Sequence, residues 1–257
     1  MALTPPRTLT PSKVTAFTNC PLAFRYSQIE RRPELPSPHA AKGTLVHAAL
    51  EGLFWNHRPG ERSIGAAEHE LLAAWKDLAD DPDFAELELD EAATTAFLDD
   101  ARTLVANYFR LEDPDAVHTI GTELGVETMV GDMRLRGIID RLDVAPDGSL
   151  IVVDYKTGRA PSERFERSSL GGVQTYALLC ESVLGRAPSE VRLLYLRQPV
   201  AIVSTASEQT IRGQRKRTVA VWSAIERACR AEDFRPNTGP LCDYCSFRAE
   251  CPAFAAA

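Results

Sequence analysis

Two acids and a lysine stand at strand-like spacings in the middle of the chain: Asp140 closes Gly137-Ile138-Ile139-Asp140, and Val152-Val153-Asp154-Tyr155-Lys156 follows. Side chains alternate along a strand, so Asp154 and Lys156 share one face while Val153 and Tyr155 share the other. Where Asp140 falls depends on the turn at Pro146-Asp147-Gly148. A three-residue loop with Gly148 left-handed pairs Ala145 with Ser149 and sets Asp140 opposite Asp154. A two-residue loop sets Asp140 opposite Tyr155 and sends the acids to opposite faces. The turn chemistry favours the first arrangement. Two carboxylates so placed repel each other unless a cation lies between them, and hard oxygen ligands suit magnesium or manganese. A lysine on the same face can orient a nucleophilic water or stabilise charge developing on a phosphate. Asp-x-Lys by itself is equally an exposed ion pair on a sheet.

A second group of residues is fit for soft-metal chemistry. Cys242, Cys245 and Cys251 fall within ten residues, and Cys20 lies more than two hundred residues upstream. The N-terminal stretch has no apolar segment of the secretory kind, so the expected compartment is the reducing cytoplasm, where disulfides are rare. Closely spaced thiolates there usually share a metal, and the spacing suits either zinc or an iron–sulfur cluster. Cys180 and Cys229 fall in helical patterns and read as small buried hydrophobes.

The elements that position these residues follow from periodicity. Ser12 is expected to cap a helix from Lys13 that ends or bends at Cys20-Pro21. Helices are expected over 40–55, 64–78 and 91–110, then strands over 117–130, 133–144 and 150–155 as a meander. A helix over 167–184, strands over 191–196 and 200–204 and a long helix over 208–230 complete an α/β domain around a central mixed sheet. No internal repeat interrupts that order.

Of 257 residues, 44% are hydrophobic and 25% charged, with no run near the roughly 18 apolar residues of a membrane span. The chain is expected to be soluble, with no membrane partner. A net charge of −7 argues at first against a nucleic-acid partner. The charge is uneven, however: Glu61 to Asp115 holds sixteen acids and four basic residues, leaving 25 basic against 20 acidic elsewhere. Arg212, Arg215, Lys216 and Arg217 form a basic cluster that could track a phosphate backbone.

Gly-Ile-Ile-Asp, a turn of the right length and Asp-Tyr-Lys-Thr-Gly together resemble the core of RecB-type PD-(D/E)xK nucleases. Gly43-Thr44-Leu45-Val46-His47 looks like the histidine-bearing helix of that family. The resemblance implies a restriction-endonuclease-like core in which His47, Asp140, Asp154 and the Tyr155 carbonyl bind magnesium or manganese and Lys156 is catalytic. Glu123 looks like the acid of the preceding strand, with Glu127 the alternative. The family's Gln and Tyr stand four residues apart on the following helix. Here Tyr176 fits, and Gln174 comes two residues late.

The cysteines at 20, 242, 245 and 251 resemble the iron–sulfur subset of the same family, which includes AddB-type and CRISPR-adaptation nucleases. That resemblance implies a 4Fe-4S cluster within a subdomain built from residues 1–38 and 232–257. Residues 39–115 would then form a helical region and 116–231 the nuclease core, all within one nuclease domain. It further implies a DNA exonuclease acting on single strands or ends, in repair or recombination. The sequence contains no Gly-x-x-x-x-Gly-Lys-Ser/Thr, so unwinding would fall to a helicase or other repair partner. The competing expectation is a DNA-binding module with an inactive nuclease core and a cysteine-bound metal staple.

Overall fold

A computed structural model describes residues 3–254, with the side chains of Asp83 and of residues 163–173 outside that description. Helices α1 (Pro11–Asn19), α2 (Pro21–Phe24), α3 (Pro38–Asn56), α4 (Ile64–Leu78), α5 (Pro82–Ala85) and α6 (Glu91–Tyr108) precede the sheet. The remaining order is β1 (Thr119–Val130), β2 (Met133–Val144), β3 (Leu150–Lys156), α7 (Glu163–Leu184), β4 (Glu190–Tyr195), β5 (Val200–Thr205) and α8 (Glu208–Ala231). Among the described residues no helix is long and apolar enough to cross a membrane.

The five strands lie in the order β1-β2-β3-β4-β5, antiparallel except for the parallel β3–β4 pair that α7 connects. Two apolar layers cover the sheet. Residues of α1, α2, α7 and α8 pack on one face and those of α3, α4 and α6 on the other. Strand β3 feeds both layers: Leu150 and Val152 join the first, Ile151, Val153 and Tyr155 the second. Burial on both sides explains its unbroken apolar run, which carries the reactive residues at its far end.

The first helix differs from the expectation at its start. Thr10, not Ser12, is the cap: its side chain accepts from the Lys13 N–H, and Pro11 takes the first helical position. A proline there gives up only an N–H the helix leaves unpaired anyway, which extends the helix two residues upstream. The β2–β3 turn has the three-residue form. Gly148 sits at φ +82°, donates to the Ala145 carbonyl, and Ala145 N–H pairs with Ser149. The register runs from Val144 opposite Leu150 to Arg141 opposite Val153.

Candidate metal site and cysteine pocket

Continuing that register by one pair sets Asp140 against Asp154. At this point a side chain replaces the backbone ladder, because Asp140 Oδ2 accepts the Tyr155 N–H at 2.7 Å. The β1–β2 pairing skips Asp140 as well, passing from Thr122 opposite Arg141 to Leu124 opposite Ile139. Between those pairs the pleat changes phase. Thr122 lines a groove against α3 and Arg141 lies in the α3 and α6 layer, yet Leu124 and Ile139 pack into the α7 layer. Glu123 carries the break at φ +44°, a left-handed conformation that costs a side-chain-bearing residue about 1–3 kcal/mol. The dislocation turns Glu123 and Asp140 toward α3.

His47 meets them there. Its Nδ1 lies 3.5 Å from Asp140 Oδ2 and 3.9 Å from Glu123 Oε1, while Nε2 lies 3.1 Å from the Tyr155 carbonyl. A carbonyl can only accept, so Nε2 carries a proton and Nδ1 faces the acids. Ligand atoms of His47, Glu123 and Asp140 all lie within 4.8 Å of one another, close enough to hold one ion. An open cavity of about 450 Å³ in front of them is lined by Gly43, Thr44, His47, Ala48, Glu51 and Glu123.

Asp154 is 4% exposed, and its Oδ2 is ion-paired with Lys156 without hydrogen-bond alignment, leaving a buried carboxylate oxygen with no hydrogen-bond partner. Burial, then the charge of Asp154, pushes Asp140 up to about 7. Burial opposes protonation of His47, but Glu123, Asp140 and Asp154 outweigh it and hold the imidazole above its usual range. Lys156 likewise stays charged, because Asp154 and Asp140 overcome its desolvation. Three acids thus crowd together beside His47 and Lys156, and that donor set fits a divalent cation.

Tyr176, on α7, faces this cluster. Burial and then Asp154, Asp140 and Glu123 raise its hydroxyl, so it stays neutral. It packs over β2 so closely that a Cβ on Gly137 would stand 2.9 Å from Tyr176 Cε1. Gln174 is half-buried and, two residues earlier on the helix, turned about 200° from Tyr176. Glu127 pairs with Arg134 at 3.4 Å, farther along β1. The basic cluster lies on α8: Arg212 pairs with Glu208 and Arg215 with Glu181, while Lys216 and Arg217 are exposed.

Sequence reasoning missed Arg141, Glu112 and Glu51. Arg141 is fully buried beside Asp140, ion-paired with Asp143 and Glu112. A charge at an inward position of a buried strand was the available signal. Glu51 stands one helical turn beyond His47, and burial followed by the charge of Glu123 raises its pKa. The spacing of four residues from His47 pointed to it.

The chain ends meet far from this cluster in sequence. Cys20, Cys242, Cys245 and Cys251 line one pocket together with Tyr26, Phe247 and Phe254, and none is disulfide-bonded. The Asn237 N–H donates to Cys20 Sγ and the Gly239 N–H to Cys242 Sγ, each at 3.4 Å. Arg32 pairs with Glu250, the Leu35 N–H donates to Ser246 Oγ, and Asn237 Nδ2 donates to the Asn19 carbonyl at 2.9 Å. Cys180 and Cys229 are buried, and burial raises both thiols.

A model of the PD-(D/E)XK nuclease superfamily matches residues 8–252. Gene 69 protein of Mycobacterium phage D29 is 24% identical over 95% of this chain and 96% of its own length. Gene 69 protein of Mycobacterium phage L5 is 22% identical over 98% and 100%. A solved structure from Eubacterium rectale, labelled an exonuclease, overlays with a TM-score of 0.61 at 13% identity, covering 93% of this chain and 87% of that one. At that identity the overlay supports the fold alone.

Proposed function

This chain belongs to the PD-(D/E)XK nuclease superfamily, and from that premise we propose that it is a divalent-metal-dependent DNA nuclease, exonuclease-like, acting on single strands or DNA ends in repair or recombination. The observation that carries the proposal is the convergence of His47, Glu123 and Asp140 beside the Asp154–Lys156 pair. His47 Nδ1 and the carboxylates of Glu123, Asp140 and Asp154 form the donor set, and the Tyr155 carbonyl adjoins it through His47. Magnesium or manganese, when bound, polarises the phosphate and lowers the pKa of water. The residues do the rest. Asp154 keeps Lys156 charged, and its ammonium is proposed to stabilise charge developing on the phosphate. Neutral Tyr176 closes the α7 side of the site and can donate to a phosphate oxygen. Gln174 and the basic residues of α8 are proposed as contacts to the DNA away from the reacting phosphate.

The four cysteines are proposed to hold a 4Fe-4S cluster that ties the chain ends together, making residues 1–38 and 232–257 one subdomain. Two sulfurs already accept backbone N–H groups, as thiolates in such sites do. Among the described residues, no three cysteine sulfurs gather within 4.8 Å of one another.

The deciding experiment is digestion of end-labelled single- and double-stranded DNA with magnesium or manganese. Metal-dependent loss of label, faster on single strands or ends, is expected. Binding without digestion under either metal would replace this reading with that of a DNA-binding module, and a helicase partner would be sought only if duplex ends resist.

A further inference from the structure

Tyr155 touches two of the proposed ligands with its main chain. Its N–H donates to Asp140 Oδ2 at 2.7 Å, and its carbonyl accepts from His47 Nε2 at 3.1 Å. Its ring enters the α3 and α6 layer, edge-on to the His47 ring at 5.9 Å between centroids, and its hydroxyl accepts from Arg141 Nη1 at 2.8 Å. Arg141 is itself held from several sides. Asp143 accepts from Nε at 3.0 and 3.1 Å, Glu112 Oε1 lies 2.5 Å from Nη1, and the Tyr108 hydroxyl accepts from Nη1 at 3.1 Å while donating to Glu112 at 2.6 Å. The guanidinium also lies 4.5 Å from the Phe54 ring centroid on α3, the helix that carries His47.

A wholly buried ionic cluster is poor value for stability alone, since apolar replacements of similar volume are often neutral or better. Its geometry offers another use. We propose that Arg141 is a positioning residue for the metal site, acting through the Tyr155 ring to fix the main chain that orients both Asp140 and His47. The link runs in covalent and hydrogen-bonded steps. Arg141 adjoins Asp140 in β2, and its fork anchors the phenol of Tyr155, whose peptide groups hold the Asp140 carboxylate and the His47 ring. Asp140 and His47 are thereby set before any cation arrives. This inference rests on the reading of the site as one for a divalent cation.

The test compares wild type, Tyr155→Phe, Arg141→Lys and the double variant. Manganese binding is titrated by electron paramagnetic resonance, and the His47 tautomer is read by nitrogen-15 NMR in the metal-free proteins above pH 8. Loss of second-layer support costs metal affinity, here about tenfold for Arg141→Lys and somewhat less for Tyr155→Phe. The double variant should bind no more weakly than Arg141→Lys, because both changes break one link. The Nε2–H tautomer should dominate in wild type and give way to a mixture in each variant, a change that lost stability alone does not produce. Tyr155→Phe keeps the ring and decides the matter if Arg141→Lys fails to fold. Wild-type affinity and a wild-type tautomer in Tyr155→Phe, or additive losses in the double variant, would overturn the inference. If wild type itself binds no manganese, the nuclease reading falls, and the tautomer still decides whether Arg141 positions His47.

Discussion

The acid site and the cysteine pocket are fixed by opposite means. Asp140 is held by the paired strand on either side of it, by its own bond to the Tyr155 N–H, by the α3 and α7 layers and by the buried Arg141 cluster. Cys20 sits between α1 and α2, but around the other three cysteines the described chain makes short 3₁₀ turns at Pro240–Tyr244 and Arg248–Glu250, with a few polar contacts between the two ends. The first region can exist before its ligand arrives. On the proposed reading the second needs its cluster to close a loop of more than two hundred residues, from Cys20 to Cys242.

Breaking the second region should therefore cost most. Cys20→Ser is expected to remove the brown colour of anaerobically purified protein and to lower the melting temperature. Loss of a cross-link over so long a loop is worth roughly 4–5 kcal/mol, or about 10 °C for a chain of this size. Full colour and unchanged melting would show that Cys20 is not a ligand and that the ends are held otherwise.

The converse changes sharpen the contrast by removing function without fold. Asp154→Ala should abolish cleavage while leaving melting unchanged or raised, because one of three crowded carboxylates is gone. Lys156→Ala should spare metal affinity and slow cleavage by about 100-fold, the scale of losing one preorganised charge-stabilising group. Wild-type digestion of labelled single-stranded DNA by both variants would remove Asp154 and Lys156 from the reaction and leave them a structural ion pair. Colour should persist in both.

What the sequence disclosed follows the same division. The hairpin register was legible because Pro146-Asp147-Gly148 permits one favoured turn, and that turn dictates the facing of Asp140 and Asp154. The pleat break was not. It rests on Glu123 at φ +44°, where no glycine or asparagine marks the position, so periodicity alone left Glu127 as an alternative to the preferred Glu123. Arg141 was hidden for another reason: its partner Glu112 comes from beyond α6, a pairing no local pattern encodes. That Cys242, Cys245 and Cys251 lie together was readable from their spacing, whereas the fold brings the distant Cys20 to line the same pocket.

A smaller effect separates the two regions by pH. Burial and Asp154 raise Asp140 to about 7, well above its ordinary 3.8, so the folded metal-free protein holds a proton there that the unfolded chain releases. Its contribution to stability is therefore complete below about pH 4 and is lost as pH rises through about 7. A divalent cation needs Asp140 ionised and His47 Nδ1 free of its proton, so manganese affinity should rise steeply with pH up to about 7 and level off only once His47, itself held above its usual range, has also deprotonated. Manganese should accordingly raise melting more at pH 8 than at pH 6. The cluster absorbance should not change over this range.

The smallest change tests whether α7 belongs to the acid site or only covers it. Gly137 lies on β2 beneath α7, and a Cβ there would stand 2.8 Å from Leu179 Cδ1 and 2.9 Å from Tyr176 Cε1. Real side chains do not tolerate such contacts, so Gly137→Ala must push the helix or turn the Tyr176 ring. Overpacking of this kind costs about 1–3 kcal/mol, within what the rest of the fold can absorb. The direction of the shift matters more than its size. An outward shift of α7 would relieve both contacts and carry the Tyr176 hydroxyl away from Asp140, Asp154 and Glu123. Cleavage should then fall several-fold with manganese affinity unchanged, and Tyr176→Phe should give a similar loss without the cost in stability. Equal cleavage by wild type and Tyr176→Phe would mean that α7 supplies packing alone, and that the reaction is carried entirely by α3 and the β1–β3 meander.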